Sequence, residues 1–257
     1  MILKIFIFII GSLIGSFFNV CIYRLPRGES IVFPRSHCAH CNHIIYWFDN
    51  IPFLSYLILR GKCRFCARPI LFRYFLVEFL TAAILLVFYV FFGFTPKFFI
   101  MSLFAGALII STFIDFEYQV IPDIITIPGI FIGLLASFLF PSILGMAKPS
   151  AAFLNSILGI IAGGGSIYAM GIFGKLIFKK EAMGGGDVKL MAMIGAFVGW
   201  KLALLIFFLA PFFGAVIGII VKIKEKKDII PYGPYLSIAT VIAILWGGRI
   251  LGYLFLY

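Results

Sequence analysis

Four of the five cysteines lie in two C-x-x-C pairs within one stretch of the chain. The pairs are Cys38 with Cys41 and Cys63 with Cys66, separated by 21 residues. Zinc prefers a tetrahedron of soft ligands at about 2.3 Å, and each pair offers two sulfurs on one tight turn. The alternatives are a redox dithiol or disulfides, but no thioredoxin-like strand–helix pattern surrounds either pair. The spacing therefore predicts a structural zinc site with four thiolate ligands.

Three histidines flank the first pair and are alternative ligands. His37, His40 and His43 could each replace one sulfur, since neutral imidazole also binds zinc. Because four cysteines already complete a tetrahedron, we expect the histidines to remain outside the metal shell. Cys21 lies in an apolar segment, where a lone cysteine is typically a small buried residue, so no ligand role is expected for it.

Aspartates lie at the ends of two apolar segments. Asp115 ends one segment, and Asp187 opens another after Gly184, Gly185 and Gly186. Carboxylates within a membrane are costly and usually functional. Two aspartates at one depth of a helix bundle can share a proton, so that one activates water while the other polarises a scissile carbonyl. An extended substrate can approach the glycines closely because they lack Cβ.

Sequence position alone leaves the partner of Asp187 open. Asp115, Glu117 and Asp123 lie close together in the sequence, and any of the three could supply the second carboxylate. The alternative for each acid is an ion pair with a lysine such as Lys189, or simple solvation at the membrane surface.

The chain as a whole has the composition of a membrane protein. Of its 257 residues, 63% are hydrophobic and 12% are charged, against about 45–50% and about 25% in typical globular proteins. A membrane span needs about 20 mostly apolar residues. We therefore predict an all-α polytopic membrane protein in a lipid bilayer, with about eight transmembrane helices at residues 3–23, 71–92, 98–116, 124–140, 151–177, 188–200, 202–221 and 232–257.

Basic residues set the predicted orientation, because they collect in cytoplasmic loops. The net charge of +11 would suggest nucleic acid in a soluble protein, but topology accounts for it here, and we expect no nucleic-acid partner. If the segment after the first span is cytoplasmic, alternation of the spans places fifteen basic residues inside and five outside. Both termini then lie outside, and Asp115 and Asp187 lie at the same cytoplasmic depth.

The chain is predicted to divide into three parts. The first helix occupies residues 1–23, a cytoplasmic loop follows at residues 24–70, and a seven-helix membrane region extends over residues 71–257. The loop contains all four paired cysteines and is too short to bury a core without an additional staple. Zinc is therefore expected to stabilise it, as metal does in other small domains.

Ordered motifs extend along nearly the whole chain. The N-terminal ones are G-S-L-I-G-S-F-F-N-V from Gly11, R-L-P from Arg24, the two C-x-x-C pairs, and R-Y from Arg73 followed by Glu78. The later ones are D-F-E-Y-Q-V-I-P-D from Asp115, M-G-G-G-D-V-K-L from Met183 and Y-G-P-Y from Tyr232. Together these motifs resemble those of the bacterial type IV prepilin peptidases, and the combination of G-x-G-D with D-x6-P-D is highly specific.

The resemblance implies a bifunctional enzyme of the bacterial cytoplasmic membrane. Such enzymes cleave the short basic leader of type IV prepilins or pseudopilins on the cytoplasmic side, and then methylate the new N-terminal amine with S-adenosylmethionine. By motif matching, Asp115 and Asp187 take the catalytic positions. The cysteine loop accompanies the methyltransferase activity in the family. The motifs do not locate the S-adenosylmethionine site, for which Glu78 and the loop are candidates by resemblance.

Two other functions fit parts of the sequence. A general G-x-G-D intramembrane aspartyl protease would share the aspartates but not the cysteine loop or the N-terminal motif. A small-solute transporter with a zinc-stabilised domain would place its acids near mid-bilayer and show paired broken helices, whereas these acids lie at one predicted interface. We therefore favour the leader peptidase–methyltransferase.

Overall fold

The computed structural model describes residues 1–179, 183–225 and 231–255. Within these ranges the chain is helical and forms no strand, only two isolated β-bridges in the cysteine loop. The predicted all-α class is therefore confirmed. The helices are α1 (Ile2–Arg24), α2 (Leu54–Ile58), α3 (Phe72–Phe92), α4 (Pro96–Tyr118), α5 (Asp123–Leu139), α6 (Pro149–Phe178), α7 (Gly185–Val198), α8 (Trp200–Glu225) and α9 (Gly233–Phe255).

Each predicted span coincides with one helix, while α2 lies in the loop. Helices α1, α3, α4, α6 and α9 are long and apolar enough to cross a membrane. Helices α5 and α7 are shorter, with 17 and 14 residues. The break between α7 and α8 falls at Gly199 rather than at Lys201, because Gly199 adopts a positive φ of 78° that a helix cannot continue through.

The described residues do not include three lysines that the predicted orientation assigns to the inner side. Lys180, Lys226 and Lys227 lie outside the described residues, as do residues 256–257 of the last predicted span. The chain divides into two compact units, Met1–Phe98 and Phe99–Tyr257.

In the first unit, α1 and α3 pack closely because two glycines of α1 face α3. A Cβ on Gly11 would lie 2.6 Å from the Cα of Ala82, and a Cβ on Gly15 would lie 2.7 Å from the Cα of Glu78. Only glycine permits so close an approach of two helix backbones. Asn19 follows at the same four-residue spacing and is buried on the same face.

The loop between α1 and α3 buries very little of itself. Within residues 25–71, only Pro52 and Ser55 are buried. Large apolar side chains remain open to the surroundings, including Trp47 at 80% and Phe33 at 74% exposure. The loop therefore has no hydrophobic core of its own, as its length predicts.

Helix α7 is the centre of the second unit. Its residues 190–198 are all buried, and it packs against α5, α6, α8 and α9. The closest approach is between Gly159 of α6 and Gly195 of α7, where a Cβ on either glycine would collide with the carbonyl oxygen of the other. Gly163 and Gly164 of α6 also face α7. These glycines allow a short helix to be surrounded on all sides.

Candidate active site and metal centre

Asp115 lies near the C-terminal end of α4 and is buried, with 6% of its surface exposed. Its Oδ2 accepts a 3.0 Å hydrogen bond from the backbone N–H of Gly233, the first residue of α9. One turn earlier, the Thr112 hydroxyl donates a 2.8 Å hydrogen bond to the Ser237 hydroxyl. The Asp115 carboxylate is therefore held against the start of α9.

Asp187 is the third residue of α7 and precedes the predicted span at residues 188–200. Its Oδ2 accepts a 3.2 Å hydrogen bond from the N–H of Gly184, the residue before the helix. This position suits a carboxylate, because the first N–H groups of a helix are unpaired and its N-terminus is electropositive. Burial, and then the negative charge of Asp115, nevertheless raise the pKa of Asp187 to about 6. Asp187 thus retains a proton to higher pH than an ordinary aspartate, whose pKa is about 3.9.

Ile121 connects the backbone segments around the two aspartates. A Cβ on Gly186, next to Asp187, would lie 3.0 Å from the Cβ of Ile121. A Cβ on Gly233, the partner of Asp115, would lie 3.4 Å from the Cδ1 of Ile121. The electrostatic effect of one carboxylate on the other agrees with this arrangement. The geometry therefore brings Asp115, Asp187 and the glycine run together, although 71 residues lie between the aspartates in sequence.

The other two acids have different surroundings. Asp123 forms an exposed ion pair with Lys189, whose Nζ lies 2.7 Å from each carboxylate oxygen. Glu117 is exposed on the last turn of α4. The alternative of a lysine partner thus applies to Asp123 and not to Asp187, and burial distinguishes Asp115 from its two neighbours.

Two residues of the Y-G-P-Y motif, Tyr232 and Gly233, lie at the candidate site, a role that their sequence position alone did not predict. Gly233 donates the hydrogen bond to Asp115. The Tyr232 hydroxyl is buried without a hydrogen-bond partner among the described residues, and the charge of Asp187 acts on it. One general rule could have predicted this contact. The first residues of a helix carry unpaired N–H groups, so a hydrogen-bond acceptor is expected at the start of α9.

The four predicted zinc ligands form one cluster. The sulfurs of Cys38, Cys41, Cys63 and Cys66 all lie within 4.8 Å of one another, and the Cys38 and Cys66 sulfurs are 3.9 Å apart. Backbone N–H groups of Cys66 and Phe65 lower the pKa of the Cys63 thiol, whereas burial and hydrogen bonds with the neighbouring thiols raise the pKa of Cys41. The donor set fits a single tetrahedral metal ion.

The two C-x-x-C pairs are built alike. In each, the N–H of the first cysteine donates a 2.9 Å hydrogen bond to the carbonyl five residues later, from Cys38 to His43 and from Cys63 to Arg68. In each, the residue after the second cysteine takes a left-handed conformation. These residues are Asn42 (φ 54°) and Ala67 (φ 55°). Two equivalent turns therefore present two sulfurs each to the same point.

The histidines make contacts other than with the sulfur cluster. The His43 ring packs on Phe65 with centroids 3.5 Å apart, and His40 Nδ1 lies 3.3 Å from Arg68 Nη1. His37 Nδ1 lies 3.1 Å from the carbonyl oxygen of Arg35. Within the described part of the chain, the metal-binding cluster consists of the four cysteines.

Two family models and several known proteins match this chain. Residues 9–92 match the family described as Bacterial Peptidase A24 N-terminal domain, and residues 102–219 match the type IV leader peptidase family. The chain is 39% identical to a prepilin leader peptidase/N-methyltransferase of Myxococcus xanthus, over 87% of this chain and 64% of that protein. It is 36% identical to the proteins of the same name from Pseudomonas aeruginosa, over 94% of this chain and 90% of that protein, and Aeromonas hydrophila, over 95% and 91%. No solved structure is significantly similar to the chain.

The two matched ranges contain different candidate sites. The cysteine cluster falls in the first range, whereas Asp115 and Asp187 fall in the second. The chain therefore belongs to the type IV leader peptidase family and, within it, to the enzymes that combine a leader peptidase with an N-methyltransferase.

Proposed function

We propose that the chain cleaves the basic leader of type IV prepilins or pseudopilins, using Asp115 and Asp187 as the catalytic pair. The observation that carries this proposal is the buried Asp115 carboxylate, fixed by the Gly233 N–H in the same site as Asp187. The names of the similar proteins supply the substrate class.

The pair would act as a unit with one shared proton. Its ionised member takes a proton from a water molecule as the water oxygen attacks the scissile carbonyl carbon. The protonated member donates its proton to the carbonyl oxygen. When the tetrahedral intermediate collapses, the C–N bond breaks and the protonated member of the pair gives its proton to the leaving amine. The other member takes a proton from a hydroxyl of the intermediate, so the pair again holds one proton.

The glycine run would provide the approach for the substrate. Gly184 and Gly185 are exposed, and a Cβ on Gly185 would meet no atom within 4 Å. An extended peptide can therefore pass close to the backbone beside Asp187.

The cysteine cluster is proposed to hold one structural zinc ion. Tetrahedral zinc–sulfur bonds of about 2.3 Å place the sulfurs about 3.8 Å apart, and the Cys38–Cys66 separation of 3.9 Å agrees with this value. Zinc would fix the two turns to each other in a loop that lacks a core.

The second activity would be methylation of the new N-terminal amine. The similar proteins are named N-methyltransferases as well as peptidases. S-adenosylmethionine, when bound, would supply the methyl group. The chain's own part is to bind this donor and to bring the amine to it.

The enzyme is proposed to lie in the bacterial cytoplasmic membrane, with the cysteine loop and the aspartates at the cytoplasmic face and both termini outside. The excess of basic residues on the predicted inner side supports this orientation. Asp115 near the end of α4 and Asp187 at the start of α7 agree with a single depth for the pair.

One experiment tests both activities. Membranes that contain the chain are incubated with a type IV prepilin and S-adenosylmethionine, and the prepilin N-terminus is analysed by mass spectrometry. The expected product lacks the leader and carries one additional methyl group. Membranes without the chain are the control, and an intact leader in both samples would overturn the proposal.

A further inference from the structure

A cavity of about 220 Å³ opens in the first unit between the cysteine loop, α1 and α3. Its lining includes Cys38 and Cys63 of the sulfur cluster and the aromatic residues Tyr56, Phe65 and Phe75. The polar groups at its α1 and α3 side include Asn19 and Glu78. Concave, mostly apolar sites with a few convergent polar groups are the usual form of a small-molecule site.

Glu78 is a buried carboxylate with spare acceptor capacity. It is 9% exposed, and its Oε2 accepts a 3.1 Å hydrogen bond from the backbone N–H of Phe53. Phe53 donates it from a strained conformation with φ 62° and ψ −52°. The Ser16 side chain also interacts with this carboxylate. A carboxylate can accept about four hydrogen bonds, so capacity remains, and no ion pair to Glu78 is found within the described residues.

Asn19 offers a second unused acceptor at the same cavity. Its side-chain Nδ2 donates a 3.0 Å hydrogen bond to the carbonyl of Tyr74, which fixes the orientation of the amide. Its Oδ1 is buried and has no partner among the described residues, and Asn19 as a whole is 2% exposed. Leaving a buried acceptor unpaired is costly, so this oxygen is placed for a donor that comes from outside the chain.

The buried basic residue at the cavity does not supply that donor. The Arg24 guanidinium instead donates to the carbonyls of Ser30, at 2.8 Å, and Pro34, at 2.7 Å. The cavity thus combines a carboxylate and an amide oxygen with aromatic walls. This combination suits a ligand that carries a positive charge, hydrogen-bond donors and a flat ring system.

We propose that this cavity binds the methyl donor, with the Glu78 carboxylate facing the sulfonium cation of S-adenosylmethionine and Asn19 Oδ1 accepting a hydrogen bond from the same ligand. The inference rests on the proposed methyltransferase function and assigns its donor site to α1, α3 and the loop. The glycine contacts of α1 with α3 explain how the site is held, because they fix the backbones that carry Asn19 and Glu78.

A second cation could face the same carboxylate, namely the N-terminal ammonium of the mature pilin. An uncharged analogue of the methyl donor distinguishes these two cations. S-adenosylmethionine carries a sulfonium, whereas S-adenosylhomocysteine carries a neutral thioether and is otherwise nearly the same molecule. If Glu78 faces the sulfonium, its carboxylate distinguishes these two ligands even when no pilin is present.

Binding of both ligands to the purified full-length chain in detergent is measured by calorimetry, for the wild type and three variants. Glu78→Gln keeps an acceptor for the Phe53 N–H but removes the charge. Val20→Trp places an indole at a half-buried position in the cavity wall, and Glu29→Gln removes an exposed acid outside the cavity as a matched control. Monodisperse elution and the unfolding temperature report whether each variant folds.

We expect Glu78→Gln to weaken S-adenosylmethionine binding about tenfold to hundredfold, as for a lost charge-assisted interaction, and to weaken S-adenosylhomocysteine binding less. Val20→Trp should abolish both, and Glu29→Gln should change neither. Equal losses for the two ligands in Glu78→Gln, or unchanged binding with slower methylation, would overturn the sulfonium assignment.

Val20→Trp tests the cavity independently of Glu78, and so remains informative if Glu78→Gln does not fold. A folded Val20→Trp chain that binds the donor like the wild type would overturn the cavity itself. A wild-type chain that neither binds S-adenosylmethionine nor methylates would instead refute the proposed methyltransferase function.

Discussion

The carboxylate of Asp115 is bonded to the backbone N–H of Gly233, 118 residues later in the chain, at 3.0 Å. A main-chain donor holds its position better than a side chain, because it has no rotamers to lose. A glycine is required there, since a Cβ on Gly233 would lie 2.8 Å from the same carboxylate oxygen. The start of α9 therefore fixes one half of the proposed catalytic pair.

Replacing either aspartate should abolish cleavage. In Asp115→Asn and Asp187→Asn, an amide cannot exchange the shared proton, and a general acid–base group contributes about 10²- to 10⁴-fold. Mass spectrometry of the prepilin N-terminus measures the loss. Asp123→Asn is the control, because its exposed ion pair with Lys189 is worth at most about 1 kcal/mol. Full cleavage by either of the first two variants would refute the pair.

Adding one methyl group at Gly233 should impair cleavage without removing a titratable group. In Gly233→Ala the Asp115 carboxylate must move to avoid the new Cβ, and small displacements of catalytic groups can cost about 100-fold. The initial rate of leader cleavage checks this effect. Gly248→Ala is a matched control in the same helix, since a Cβ on Gly248 meets no atom within 4 Å. Equal rates for both variants would contradict the role of Gly233.

The rate of cleavage should fall as pH rises past the raised pKa of the pair. The pKa of Asp187, raised to about 6 by burial and by Asp115, keeps one proton on the pair above the range of an ordinary aspartate. Loss of that proton removes the acid that polarises the carbonyl. The pH profile of kcat/KM should therefore decline with a midpoint near or above pH 6, and Asp123→Asn should leave the midpoint in place. A decline confined to the range around pH 4 would contradict the shared-proton pair.

Removing two sulfurs should release the metal and affect methylation more than cleavage. Elemental analysis of the wild type should find about one zinc per chain, and Cys63→Ser with Cys66→Ser should reduce it towards zero. Methylation should be lost because the loop has no core to keep its shape. Cleavage should be affected less, because the aspartates belong to the other compact unit.

The fifth cysteine supplies the control for this experiment. Cys21 is buried in α1 and lies outside the sulfur cluster, so Cys21→Ala should keep its zinc. A metal-free wild type that still methylates its product would refute the zinc assignment. Equal loss of cleavage and methylation in the double variant would mean that the loop is part of one joint active site.

Cysteine labelling tests the orientation. Thr95→Cys and Ala147→Cys are at exposed positions in predicted outer loops and should react with an impermeant thiol reagent in intact cells. Val120→Cys and Lys179→Cys, on the predicted inner side, should react only after permeabilisation. The unmutated chain provides the background from its own cysteines. The reverse pattern would place the aspartates on the outer face.

The helices and the sulfur cluster could be predicted because their signals are local. Runs of apolar residues indicated each span, and two C-x-x-C pairs indicated four ligands for one ion. The end of α7 was missed by two residues because the charge of Lys201 was taken as the boundary. The chain turns instead at Gly199, and the Lys201 ammonium lies over the ring of Trp200, 5.8 Å from its centroid.

The choice of the second aspartate could not be made from spacing, because it depends on contacts between distant segments. Asp123 is neutralised by Lys189, 66 residues later, while Asp115 is buried against Gly233. The acceptor groups of Asn19 and Glu78 line one cavity because α1 and α3 pack closely through glycines. The family resemblance predicts Asp115, and the burial of its carboxylate against the Gly233 N–H is the tertiary feature that supports this prediction.

The burial of α7 on all sides has a consequence for how the protein is made. A helix of 14 residues is about 21 Å long, less than the roughly 30 Å of a bilayer core, so it gains little from lipid alone. Its stability must come from α5, α6, α8 and α9, which enclose it, and two of these are synthesised after it. We therefore expect Asp187, on the first turn of α7, to take its position only after α8 and α9 have packed against that helix. A chain that ends before α8 is expected to contain both aspartates without holding Asp187 in the arrangement described above.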